Sequence, residues 1–143
     1  MSNIVCTACG ATNRIPEGRD ALSGKCGKCG AALFPVTVPD VTTPVFDKQV
    51  ARSSIPVVVD VWAPWCGPCR VMGPEFAKTA QSMQPDLRFL KLNSDEQQQV
   101  ASRLGIRGIP TMLLFKDGKE VGRVSGAMPA PQIQSWIEDQ LRR

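Results

Sequence analysis

The sequence has no histidine and no tyrosine, and aromatic residues make up only 6% of its 143 positions. Without histidine, neither a Cys–His nor a Ser–His catalytic pair can exist, and a site for a soft metal must be built from sulfur alone. Blocks of like charge are also absent. The net charge is +4 and the terminal Arg142-Arg143 pair is too short to count as a block, so neither nucleic acid nor a membrane surface is expected as a partner. Long apolar runs are missing too. The most apolar stretch, Val57 to Trp62, contains Asp60 and falls far short of the roughly 20 residues that cross a bilayer. The start, Met1-Ser2-Asn3-Ile4-Val5-Cys6, has neither a basic region nor an apolar one, so no secretory signal is expected. A cytoplasmic protein, in a compartment that keeps thiols reduced, is the expectation.

Six cysteines in such a setting call for metal binding or catalysis rather than three structural disulfides. They form three Cys-x-x-Cys pairs: Cys6/Cys9, Cys26/Cys29 and Cys66/Cys69. The first two lie in a segment, residues 1–33, that is rich in glycine and small polar residues and too poor in large apolar ones to fold unaided. A proline-punctuated connector, residues 34–43, follows, with room for one short edge strand. Residues 44–143 carry the patterning of a larger domain.

In that domain Val45 to Arg52 reads as a short helix, and the β-branched run Val57 to Trp62 as a strand buried on both faces. A helix over Pro68 to Met83 follows, with Met72, Phe76, Ala80 and Met83 at helical spacing and Pro74 inside it, where a kink is expected. Strands are predicted at Leu87–Leu92, Thr111–Phe115 and Glu120–Ser125, the last two joined by an Asp117-Gly118 hairpin turn. Helices are predicted over Gln97–Leu104 and around Ile133, Trp136, Ile137 and Leu141. This order implies an α/β fold with a mixed sheet and helices on both faces.

The pair in Trp65-Cys66-Gly67-Pro68-Cys69 stands where a buried strand passes into a helix. Unpaired N–H groups and a partial positive charge at a helix start stabilise a thiolate and lower its pKa. Cys69 falls one turn in, on the same side as Cys66, close enough for a disulfide. Pro68 needs no donor in the first turn, and Gly67 leaves space for a substrate chain. Cys66 would attack a substrate disulfide, and Cys69 would resolve the mixed disulfide. Asp60, six residues before Cys66 in the buried strand, is the candidate proton acceptor for Cys69, because burial raises a carboxyl pKa. A structural buried aspartate is the alternative.

The stretch Val59-Asp60-Val61-Trp62-Ala63-Pro64-Trp65-Cys66-Gly67-Pro68-Cys69 resembles the signature of the thioredoxin family, and residues from about 36 to 143 share most of that family's landmarks. The resemblance implies a thioredoxin fold, an exposed nucleophile at Cys66, a buried resolving thiol at Cys69, proton handling by Asp60 and a place for Lys91 beside that carboxylate. Gly108-Ile109-Pro110-Thr111 is similar to the family's cis-proline loop, which would set Ile109 and Pro110 beside Cys66 to pair with an extended substrate. Gly126-Ala127 is similar to a further segment of the substrate groove. Trp65 is expected at the groove and Trp62 in the core. By the same resemblance, partners would be an NADPH-dependent thioredoxin reductase and acceptors such as ribonucleotide reductase, peroxiredoxins and methionine sulfoxide reductases.

An ordinary member of the family has no cysteine-rich N-terminal segment. The spacing Cys6-x2-Cys9-x16-Cys26-x2-Cys29 is that of a closed four-thiolate structural zinc site. Glycines 10, 27 and 30 beside the ligands allow tight turns. Spacing alone leaves iron open. With Asn13-Arg14-Ile15-Pro16 between the pairs, the arrangement resembles the zinc-containing thioredoxin 2 subgroup and extends the likeness over nearly the whole chain. The expected function is a general protein-disulfide reductase with one structural Zn2+. The alternatives are a zinc- or oxidant-responsive redox switch, or a zinc-ribbon binding module. For the last, the four basic and two acidic side chains of residues 1–33 are too weak a bias to predict phosphate binding.

Overall fold

The computed structural model describes residues 2–143. Its centre is the β-branched run, which forms strand β3 (Val57–Trp62), following a two-stranded N-terminal sheet of β1 (Ser2–Val5) and β2 (Thr12–Ile15) and helix α1 (Thr43–Arg52). After β3 come α2 (Gly67–Met83), β4 (Arg88–Asn93), α3 (Gln98–Arg103), β5 (Thr111–Lys116), β6 (Lys119–Ser125) and α4 (Ala130–Arg142). The main sheet has the order β4-β3-β5-β6, with β3 parallel to β4 and antiparallel to β5. Beyond β4 the connector adds a bridge at Asp40: Lys91 donates its N–H to the Pro39 carbonyl, and Val41 donates to that of Lys91. It is a single bridge, and residues 34–43 form no strand of their own.

Strand alternation divides the core. Val57, Val59 and Val61 face α1 and α3 together with Phe46, Leu90, Leu92, Val100 and Leu113. Val58 faces α2 and α4 with Met72, Phe76, Phe89, Leu114, Ile133 and Ile137. Asp60 follows Val58 by two residues and therefore points to the α2 side of the sheet. In register it lies opposite Lys91 on β4 and Met112 on β5. The β5–β6 turn has Asp117 at φ 52° and Gly118 at φ 80°, the backbone of the expected tight hairpin. Two X–Pro bonds are cis, Ile109–Pro110 as expected and Gln84–Pro85 in addition.

Residues 2–33 hold regular structure that the sequence did not announce. β1 and β2 pair antiparallel, a 3-10 turn covers Ala21–Ser23, and Ile4, Cys6, Cys26, Leu33 and Phe34 form a small core. This unit sits on the larger fold through a defined seam. The Val5 carbonyl accepts from Gln49 Nε2 at 2.7 Å and from Arg88 Nη2 at 2.9 Å. Asn3 and Ser54 exchange two further bonds, and Ile55 packs into the small core.

Candidate active site and metal centre

Cys66 is the N-cap of α2 and Cys69 lies in its first turn. The two are joined as a disulfide with Cα atoms 5.2 Å apart. Cys66 Sγ accepts the backbone N–H of Cys69 at 3.2 Å, so the helix start is aimed at this sulfur. The sulfur also lies 3.8 Å from the carbonyl oxygen of Ile109, at the cis bond to Pro110. Cys66 was expected to be exposed; in this oxidised state it is 5% exposed and Cys69 3%, because Ala63, Trp62 and Ile109 close around them.

Trp65, Cys66, Gly67, Pro68 and Ile109 line an open groove of about 530 Å³, with Ser94, Arg107 and Gly108 among its other lining residues. Trp65 is 68% exposed and anchored by an indole N–H bond of 3.0 Å to Asp95. Gly126 donates its N–H to the Pro110 carbonyl at 2.9 Å, which ties the end of β6 to the proline loop. Ala127 is not brought into this groove. It lines a separate, mostly apolar depression with Val71, Glu75, Met128 and Pro129.

Asp60 is completely buried, and neither carboxylate oxygen has a hydrogen-bond partner. Burial raises its pKa to about 7; Lys91 pulls it down and Asp40 pushes it further up. Lys91 is thus within electrostatic reach, but its ammonium sits 4.0 Å over the Trp62 ring. Trp62 departs from its expected place in the core. It is half-buried, because its indole N–H requires an acceptor and finds Asp40 at 2.6 Å. Asp40, Asp95 and Arg107 carry no motif, and sequence reasoning missed them.

The other four cysteines converge. Their sulfurs all lie within 4.8 Å of one another, with Cys6 to Cys29 at 3.6 Å and Cys9 to Cys26 at 3.7 Å. A tetrahedral ion with Zn–S bonds of ~2.3 Å needs sulfurs ~3.8 Å apart, so the donor set fits a four-thiolate ion. The two pairs are built alike. Cys6 and Cys26 each accept at the carbonyl from a glycine four residues on, Gly10 and Gly30, and each donates its N–H to the next residue, Ala11 and Ala31. Both glycines have φ 80°. N–H groups of Ala8 and Lys28 point at Cys6 and Cys26 sulfurs at 3.4 Å. Asn13 adds a side-chain donor to Cys26 and lowers its thiol pKa to about 6, helped by N–H groups of Cys29 and Lys28. Sulfurs this close cannot all ionise without a cation among them.

A family model described as thioredoxin matches residues 37–139, and one described as thioredoxin 2, N-terminal, matches residues 5–31. The chain is 37% identical over 140 residues to thioredoxin C-3 of Corynebacterium nephridii, covering 98% of this chain and 96% of that one. It is 46% identical over 101 residues to thioredoxin 1 of Synechococcus elongatus, covering 71% and 94%. Among solved structures, oxidised mitochondrial thioredoxin 3 of Saccharomyces cerevisiae is similar with a TM-score of 0.64 and 31% identity, over 72% of this chain and 94% of that one.

Proposed function

The chain belongs to the thioredoxin family and is a thiol–disulfide oxidoreductase, and from that premise we propose how its residues divide the work. Reduced Cys66, at the helix start, attacks one sulfur of a substrate disulfide. A mixed disulfide forms and one substrate thiolate leaves. Cys69 then loses its proton to Asp60 and attacks Cys66 Sγ. The Cys66–Cys69 disulfide forms and the second substrate thiolate leaves, so two electrons pass to the substrate. The observation that carries this reading is the Cys66–Cys69 disulfide at the N-terminus of α2, with the cis Ile109–Pro110 loop 3.8 Å from its outer sulfur. Lys91 moderates the Asp60 pKa. Trp65, Gly67, Pro68, Ile109 and Pro110 hold the substrate strand, with Gly126 bonded behind Pro110; Ala127, outside the groove, would be reached only by a longer substrate segment.

The four remaining cysteines hold one structural Zn2+ and carry no open coordination position. Residues 1–33 form the metal module, 34–43 the connector and 44–143 the redox domain. An NADPH-dependent thioredoxin reductase restores the dithiol. Electrons go to acceptors such as ribonucleotide reductase, peroxiredoxins and methionine sulfoxide reductases. Among the described residues no helix is long and apolar enough to cross a membrane. A cytoplasmic location suits four thiolates that must stay reduced to hold metal.

Insulin-disulfide reduction driven by NADPH and thioredoxin reductase tests the assignment. Cys66→Ser is expected to be inert, and Cys69→Ser to accumulate mixed disulfides visible on a non-reducing gel. Turnover by Cys66→Ser at the wild-type rate would overturn it. Elemental analysis of the purified protein separates zinc from iron.

A further inference from the structure

Arg88 opens β4 and is 1% exposed, the bulkiest of the fully buried side chains. Its Nη2 donates to the Val5 carbonyl at 2.9 Å, its guanidinium lies 4.2 Å over the Phe34 ring, and its Nη1 has no hydrogen-bond partner. None of the ion pairs among the described residues includes it. A guanidinium remains charged at any ordinary pH, and an uncompensated buried cation is strongly unfavourable. Burial lowers the Arg88 pKa to about 10, and the Cys6 sulfur acts against that fall.

The carbonyl that Arg88 holds belongs to the peptide bond joining Val5 to Cys6, and Cys6 is itself completely buried. Four thiolates around a divalent ion carry a net charge of −2. From these positions we infer that Arg88 is the charge partner of the metal–thiolate centre: a buried cation supplied by the redox domain that offsets the negative charge of a metal site in the N-terminal module. Gln49, fully buried on α1, donates to the same oxygen at 2.7 Å and brings no charge. The two side chains thus have separable roles. Gln49 fixes the peptide bond beside the first ligand, and Arg88 adds the counter-charge. Without metal, the seam encloses a cation with no ion-pair partner. With metal, the two charges stabilise each other, so part of the metal affinity is generated by the docking of module on domain.

This inference rests on reading the four cysteines as a divalent-metal site, and the experiment separates the two. Full-length reduced protein is titrated with zinc against a chromophoric chelator, for the wild type, Arg88→Lys and Arg88→Gln. Lysine keeps the charge; glutamine keeps a donor toward Val5 and loses the charge. The wild type is expected to hold one zinc per chain. Arg88→Gln is expected to lose at least about tenfold in zinc affinity and Arg88→Lys no more than about threefold, in line with other groups that support metal ligands from behind. Arg88→Gln also lowers the melting temperature of the metal-loaded form more than that of the metal-free form. A wild type that binds no divalent metal sinks the metal site itself. A metal-binding wild type with undiminished affinity in Arg88→Gln, equal losses in the two variants, or equal destabilisation with and without metal overturns the role of Arg88 alone. Should Arg88→Gln fail to fold, Arg88→Lys decides: wild-type affinity sustains the inference and a tenfold loss overturns it.

Discussion

In the proposed cycle Asp60 couples the stability of the molecule to its chemistry. The carboxyl is completely buried without a hydrogen-bond partner, and its pKa is about 7 against an ordinary 3.8, with burial the main cause. The folded protein therefore holds this proton more tightly than the unfolded chain. Stability from this group is complete below about pH 4, falls as pH rises toward 7, and stays reduced above it. A shift of this size corresponds to roughly 4 kcal/mol, as an order of magnitude. Asp60→Asn is accordingly expected to stabilise the oxidised protein by a few kcal/mol near pH 8, with the gain vanishing toward pH 4. Denaturant midpoints across that range check it. A gain that does not vary with pH would mean that packing, not ionisation, is responsible. The same variant should slow resolution of the mixed disulfide at neutral pH and recover as the medium becomes alkaline enough to ionise Cys69 unaided. Asp60 was legible in the sequence because a lone carboxylate interrupts an apolar run. Its neighbour Trp62 was misplaced, because its position depends on Asp40, whose approach across the connector leaves no local pattern.

Among the elements, those whose stability is local could be read and those stabilised from outside could not. β3, α2 and the β5–β6 hairpin announce themselves through a β-branched run, a Cys-Gly-Pro-Cys helix start and an Asp-Gly turn, and the structure places each within a residue or two of expectation. β1 and β2 are four residues each, and their sequences, Ser-Asn-Ile-Val and Thr-Asn-Arg-Ile, carry no apolar–polar alternation. They exist because the cysteine turns beside them converge and because the seam pairs backbone groups of β1, which β2 then joins. Those turns make a prediction of their own. Gly30 has φ 80°, and a Cβ there would meet nothing within 4 Å, so Gly30→Ala incurs backbone strain alone, roughly 1–2 kcal/mol. Gly10 has the same φ, but a Cβ would lie 2.9 Å from Lys48 Cδ, the flexible end of a side chain from α1. Gly10→Ala should cost about as much in the turn and displace Lys48 as well. Thermal melts of the metal-loaded variants, with and without a Lys48→Ala background, check this. The background should relieve Gly10→Ala and leave Gly30→Ala unchanged.

At the scale of the whole molecule, the question is what the metal module contributes to a redox domain whose core is already complete. The two sheet faces close over Val59, Phe76, Leu90 and Ile133 without any residue from positions 2–33. The catalytic disulfide and its groove likewise draw on none of them. Among the described residues the hydrogen bonds between module and domain gather at one seam, Asn3 with Ser54 and Val5 with Gln49 and Arg88, and Ile55 packs into the module's core beside them. A core of five buried side chains is too small to stand alone, so a metal held by the four cysteines, as proposed, would supply much of the module's folding free energy. Removing metal by chelation under reducing conditions should then loosen the molecule unevenly. Amide exchange is expected to accelerate throughout residues 2–33. It should rise to a smaller degree at the seam, in Gln49, Ser54 and the first residues of β4, and leave β3 and β5 protected. Insulin reduction by the stripped protein should persist at a rate comparable to that of the metal-loaded form, because the α2 start and the cis-proline loop lie in the part that stays folded. Mass-spectrometric exchange and the reductase assay, run on the same stripped sample, check both halves. Uniform loss of protection, with activity lost in parallel, would show that module and domain fold as one cooperative unit; protection lost only in the module would show that the seam transmits nothing and that the metal stabilises its own segment alone.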